Sequence, residues 1–204
     1  MALIVRPFPA PLESLSQELG GALAALTDTR EALAGRDSPA RITVVGPFPA
    51  YALDPRAFLD SGVEHAAGSG WRALAMDGDA PLALVDITFS PAGDPQHAYR
   101  GRDAAKAFAA VLALAGERVG GAKNYEVRWL SLPDVYVTAL WLAGDVPLFA
   151  PTRMGSAERT APSLLELAAL QKLVKPLVAA ARAPDAGQDS RFAGPPSPRS
   201  GLPD

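Results

Sequence analysis

Residues Tyr125 to Trp141 read YEVRWLSLPDVYVTALW, two extended runs separated by Pro133-Asp134. Proline presets φ for the second position of a type I turn and aspartate suits the third, so Leu132 and Val135 flank a reversal and a hairpin runs outward from them. Side chains alternate along a strand, and cross-strand partners share a face. In that register Tyr125, Val127, Trp129 and Ser131 lie across from Leu142, Leu140, Thr138 and Tyr136, a face almost wholly apolar or aromatic. The other face sets Glu126, Arg128, Leu130 and Leu132 against Trp141, Ala139, Val137 and Val135, with charge only towards one end. An antiparallel sheet with one wet side alternates more cleanly than this. Two explanations follow: the hairpin is a sheet centre covered on both sides by its own chain, or the face bearing Arg128, Leu130, Val137 and Trp141 meets a partner.

Upstream, Trp71–Met76, Asp77-Gly78-Asp79 and Leu82–Phe89 form a second hairpin, because an Asp-Gly dipeptide between apolar extended runs is a strong local hairpin signal. Asp86 alternates with Val85 and Ile87 there, which sets a carboxylate near a buried layer. Arg41–Val45 is a short β-branched run closed by Gly46-Pro47, and the Pro- and Gly-rich residues after it read as irregular. Helical spacing appears three times. Residues 11–34 carry Leu12, Leu15, Leu19, Leu23, Leu26 and Leu33. From Asp103, a candidate N-cap, to Val119 the inner face is Phe108, Val111, Leu112 and Ala115. The last helix begins at Ser163 with Glu166 completing a capping box, shows a Leu164, Leu167, Leu170, Val174, Leu177, Ala181 stripe, and is expected to bend near Lys172 because Pro176 removes a backbone donor. Gly144-Asp145 allows one more strand from Val146 to Ala150.

The order is helix, strand, hairpin, helix, hairpin with an extra strand, helix. It predicts one α+β domain over residues 1–183, a mostly antiparallel sheet of about five to six strands with helices packed on it. Residues 184–204 are rich in Pro, Gly, Ser and Asp and read as a disordered tail.

At 204 residues the chain suits a single substantial core, and 49% hydrophobic residues with a mean hydropathy of +0.09 exclude a wholly disordered polypeptide. Nineteen Lys and Arg against 22 Asp and Glu, a pI near 5.4, leave no electrostatic footprint for nucleic acid or an anionic membrane. Cysteine is absent, which removes disulfides, thiolate catalysis and Cys-ligated metal sites. Leu3-Ile4-Val5 before Arg6 is too short for a signal-peptide core, and the expected location is cytoplasmic.

Catalytic motifs are scarce. Gly116 to Lys123 resembles a phosphate loop only superficially, since its lysine is displaced, no Ser or Thr follows, and it ends a helix where a P-loop begins one. His65 and His97 are the two histidines, and neither spacing nor neighbours specify a metal or cofactor, so none is expected. Tyr99, Arg100 and Arg102 precede a helix and could gather a carboxylate or phosphate, Tyr99 covering it. Arg128, if half-buried, needs an anionic partner, and Glu126 on the same face supplies one.

The element order over residues 11–182 resembles that of small acidic secretion-chaperone-like folds, a likeness without a diagnostic motif, and it implies dimerisation through a sheet or helix. Two functional expectations follow. One is a non-enzymatic cytoplasmic interaction or accessory protein with a protein partner or a second copy. The alternative is a small-molecule-binding protein or enzyme with a pocket between sheet and helices. The candidate contact residues are Arg128, Leu130, Val137, Trp141, Tyr99, Arg100 and Arg102.

Overall fold

A computed structural model of the chain describes residues 3–9, 15, 17–19, 23, 42–119, 124–159 and 161–181. The predicted tail, residues 184–204, lies outside the described residues, as do residues 120–123 of the phosphate-loop look-alike and most of the predicted helix over 11–34. One ten-stranded sheet organises the rest. Its strands in chain order are β1 (Leu3–Ile4), β2 (Ile42–Ala52), β3 (Ala67–Asp77), β4 (Ala80–Phe89), β5 (Pro95–Arg100), β6 (Tyr125–Leu132), β7 (Val137–Ala143), β8 (Leu148–Met154), β9 (Ala157–Glu158) and β10 (Leu165–Glu166). The helices are α1 (Pro55–Ser61), α2 (Arg102–Arg118) and α3 (Leu167–Ala181), together with helical backbone at Leu15, Gln17–Leu19 and Leu23.

The spatial order is β10-β8-β7-β6-β2-β3-β4-β5, with β1 beside β6 and β9 beside β8. The α+β architecture agrees with the sequence reading, but the sheet is larger than five to six strands and is mixed. β1 and β2 both run parallel to β6, β1 through Leu3↔Tyr125 and β2 through Ala50↔Trp129 to Ala52↔Ser131. Neither pairing has a turn to announce it, because parallel neighbours are joined by long connections.

The central hairpin forms with one correction. Pro133–Val135 is a 3-10 turn, and Tyr136 follows it at φ 52, so four residues close the loop where two were expected. The register slides accordingly: Trp129 faces Leu140, not Thr138, and Ser131 faces Thr138, not Tyr136. A slide of two residues preserves every side chain's face, since the strand period is two.

The second hairpin closes at Asp77↔Ala80 around Gly78-Asp79, and Gly78 supplies the positive φ, 57°, that a primed two-residue turn demands at its first position. β2 does not stop at Gly46-Pro47. It crosses a register shift there, between Val45 and Phe48, contains a cis Gly46–Pro47 bond, and continues to Ala52. The stretch expected to be irregular then holds α1, which starts at Pro55 with Asp54 Oδ1 accepting from the amides of Arg56 and Ala57. β5 occupies Pro95–Arg100, a stretch read from the sequence only as preceding a helix. The additional strand begins at Leu148 instead of Val146 and runs to Met154.

Two helix starts also differ. α2 is preceded by Gly101, with no side-chain cap, and Asp103 lies inside its first turn, where it favours the helix dipole without capping. Leu165 and Glu166 pair with Phe149 and Leu148, so the Ser163–Glu166 capping box does not form and α3 begins at Leu167.

The sheet is covered on both faces. On face one α2 sets Ala105, Phe108, Val111 and Ala115 against Phe48, Leu74, Val127, Trp129, Leu140 and Leu142. Face two is covered in two parts. Phe58 of α1 and Leu170, Val174 and Val178 of α3 pack on Leu130, Leu132, Trp141 and Phe149, while Leu15, Leu19 and Leu23 pack on Ala73, Ala75, Val85 and Ile87. Gln171 ties the two helices together, its Nε2 donating to the carbonyls of Phe58 and Leu59 at 2.8 and 3.2 Å.

Gly70 is required by this geometry. Its φ is +132°, and a Cβ there would stand 2.4 Å from the Ile87 carbonyl oxygen on β4. Gly70→Ala is therefore expected to lose roughly 2 kcal/mol or more in urea unfolding, whereas Gly68→Ala, with nothing within 4 Å of its added carbon, leaves the midpoint in place. Equal behaviour of the two variants would contradict the close approach of β3 and β4.

Candidate functional site

Two groups of ion-paired side chains stand on the sheet, one on each face. The first depends on a bulge. A two-residue loop closing at Asp77↔Ala80 would, carried inward unbroken, set Arg72 opposite Val85. A register shift between Ala75 and Met76 moves Arg72 opposite Asp86, on face one. Both Asp86 oxygens are used. Arg72 Nε donates to Oδ1, and Arg100 Nε, from β5, donates to Oδ2 at 2.8 Å. The Arg72 side chain is 5% exposed and its guanidinium lies 4.2 Å from the Trp129 ring centroid, whereas that of Arg100 is 43% exposed.

Burial pushes the Arg72 guanidinium below the ordinary arginine value, opposed by its hydrogen bond and charge attraction to Asp86; the nearby positive charge of Arg100 adds to the lowering and Glu158 resists it. Burial by itself would raise Asp86, but the hydrogen bonds and charges of Arg72 and Arg100 outweigh it and hold the carboxyl below its usual range. Next to this group Arg153 Nη1 stands 4.0 Å from Glu158 Oε1, its Nε donates to the Gly155 carbonyl at 3.0 Å, and its guanidinium lies 5.6 Å from the Tyr136 ring. Thr138 and Thr152 complete the polar lining of β7 and β8 with a buried hydroxyl pair at 3.0 Å.

The second group lies on face two. Arg128 Nη2 donates to Glu126 Oε2 at 2.6 Å, and Arg6 Nε stands 3.2 Å from Glu126 Oε1. The ion pair expected from the strand alternation is present. The Arg128 guanidinium lies against both Tyr51, 5.2 Å from its centroid, and Trp141, 4.7 Å away, two rings that meet edge to face at 5.5 Å.

The sequence-derived candidates therefore separate. Leu130 and Val137 are fully buried and Trp141 is 5% exposed, covered by the chain's own α1 and α3; Trp129, at 1%, is buried on face one under α2. Both faces of the doubly apolar hairpin are thus covered by elements of the chain itself. Tyr99 points to face two, beside the hydrophobic group around Leu19, where burial and then the charge of Glu18 raise its hydroxyl pKa. Arg100 points to face one, so Tyr99 does not cover an anion held there. Arg102 is an exposed first residue of α2.

His65 is exposed in a turn; His97 lies on β5, its Nε2 buried without a hydrogen-bond partner among the described residues. No group of three or more His, Asp or Glu among the described residues is arranged to hold a metal ion. The residue that sequence reasoning missed is Arg72. Asp86 was visible as a carboxylate in a strand, but its partner depends on a one-residue bulge that no local signal marks.

Surface concavities of about 220, 460 and 450 Å³ lie elsewhere: by Asp54 and Asp134, by Arg118 and Ser163, and between α1 and α3 by Asp60 and Lys175. None is lined by a residue of either charged group. No helix among the described residues is long and apolar enough to cross a membrane. No protein-family model, curated protein or solved structure matches the chain.

Proposed function

We propose that this chain is a non-enzymatic, cytoplasmic interaction or accessory protein, and that it makes its contact along β5, not through the aromatic hairpin. The supporting observation is the sheet edge. β5 is the terminal strand of the order, six residues long, and pairs only with β4 among the described residues. Its other edge carries backbone donors and acceptors that an extended segment of a partner satisfies by adding a strand. Natural edges are commonly blunted by lysine, by bulges or by inward charge. β5 has no lysine and pairs with β4 without a register shift, and its Arg100 is already tied to Asp86.

Successive residues in a strand send their amides to opposite edges, so one of His97→Pro and Ala98→Pro removes a donor to β4 while the other removes an outward donor. The expected result is that one variant unfolds earlier in urea. The other keeps the wild-type midpoint but loses self-association in light scattering, or loses a partner retained by the wild-type chain. A strict monomer that retains no partner, or full retention by both variants, would overturn the proposal.

A second reading, a small-molecule-binding protein, draws support from a different observation. Two arginines converge on one aspartate where β4 and β5 meet the α2 face.

A further inference from the structure

We infer that Arg72 and Arg100, held side by side by Asp86, form a binding site for an oxyanion, the carboxylate or phosphate group of a small ligand. The inference rests on the second reading and stands apart from the β5 edge.

Asp86 engages each arginine through Nε alone. The terminal nitrogens of both guanidinium groups make no further hydrogen bond among the described residues. Guanidinium is a rigid planar fork whose paired N–H groups match a carboxylate or phosphate, so a fork tethered at one edge presents the remaining donors in a set direction. Two such forks share a single anchor, Asp86, whose oxygens belong to one carboxylate. The donors are thus gathered before any ligand arrives, and little ordering is left for binding to impose.

Charge favours an anion here as well. Among the described residues the ion pairs here are Arg72–Asp86, Arg100–Asp86 and Arg153–Glu158, three cations against two anions. Arg72 carries its charge in a place almost closed to solvent, over the Trp129 ring. The Arg72–Arg100 repulsion is weakly screened there, and an added oxyanion relieves it. Arg100, nearly half exposed, opens the site to solvent from the β5 side, while Trp129 gives it an apolar floor.

The test is titration of the full chain with inorganic phosphate and, separately, with succinate, each at constant ionic strength against chloride, read by calorimetry and by the thermal midpoint. The expected result is saturable binding of at least one oxyanion and a raised midpoint that chloride does not reproduce. Which probe binds more tightly separates the phosphate from the carboxylate class. Arg100→Gln weakens that binding about tenfold or more, since a charged hydrogen-bonding fork is lost. Arg100→Lys keeps the charge but not the fork and falls between, which preserves the test if the glutamine variant folds poorly. Arg102→Gln binds as wild type. Absence of a response to both probes, or an unchanged affinity in both Arg100 variants, would overturn the inference. If both probes fail while a neutral metabolite still raises the midpoint, the small-molecule reading survives and only the oxyanion assignment is lost.

Discussion

Trp129→Ala is expected to lower the stability of this chain by about 3–5 kcal/mol, a large share of the roughly 5–15 kcal/mol that holds a domain of ordinary stability. Trp129 is among the largest of the fully buried side chains, 1% exposed, with its ring 5.1 Å from that of Phe108 at the centre of the α2 layer. Alanine removes that packing and leaves a cavity between α2 and β6 that neighbours on a regular sheet cannot collapse to fill. It also removes the surface on which the Arg72 guanidinium rests. Urea unfolding followed by far-UV circular dichroism measures the loss, with Val146→Ala, at an exposed bend after β7, as a control that stays within about 0.5 kcal/mol. An unshifted midpoint for Trp129→Ala would mean that the sheet centre is not where the core is concentrated.

Asp86→Asn is the second large effect, about 3 kcal/mol at neutral pH. The substitution keeps the shape of the side chain but leaves Arg72 charged, buried and without its counter-ion, which is the costly way to break a buried pair. The wild-type contribution also depends on pH in a defined direction. Burial raises the Asp86 carboxyl and the two arginines lower it by more, so its folded pKa lies below its unfolded one, near 3.9. The stability it supplies is complete above the unfolded value and is lost as pH falls from there through the folded value. Asparagine does not titrate. The gap between wild type and Asp86→Asn should therefore be widest at pH 7 and shrink below about pH 4 in paired urea titrations. A gap that is small at pH 7, or that stays constant into acid, would show that Arg72 does not rely on this carboxylate.

Both predictions concern residues that differ in how visible they were. Trp129 was legible as core because it sits in an alternating run beside a turn, and alternation survives errors of loop length. The four-residue loop moved the register by two, and Val127, Trp129, Leu140 and Leu142 stayed on one face together. The 3.6-residue spacing of α2 and the Leu15, Leu19, Leu23 set was legible for the same reason: burial on one side of a helix writes a period into the sequence. The Arg128–Glu126 pair was readable because its members stand two apart on one strand.

Arg72 with Asp86 and Arg100 was not readable in this way. A bulge of one residue flips the register of a strand from one face to the other, and whether it is present is decided by packing on both sides of the sheet. The parallel neighbours of β6 and the strand character of Pro95–Arg100 were hidden likewise, since they depend on strands far away in the chain or on a strand that pairs on one side only among the described residues.

By itself, then, the sequence of YEVRWLSLPDVYVTALW determined a hairpin with two apolar faces, and the periodic helices around it determined an α+β domain, because both are short-range patterns of burial. Only the tertiary structure decided what covers those faces. It set α1 and α3 over Leu130, Val137 and Trp141, and brought Arg72 opposite Asp86 through a bulge, since closure of one side by another element is a long-range event that local spacing does not encode.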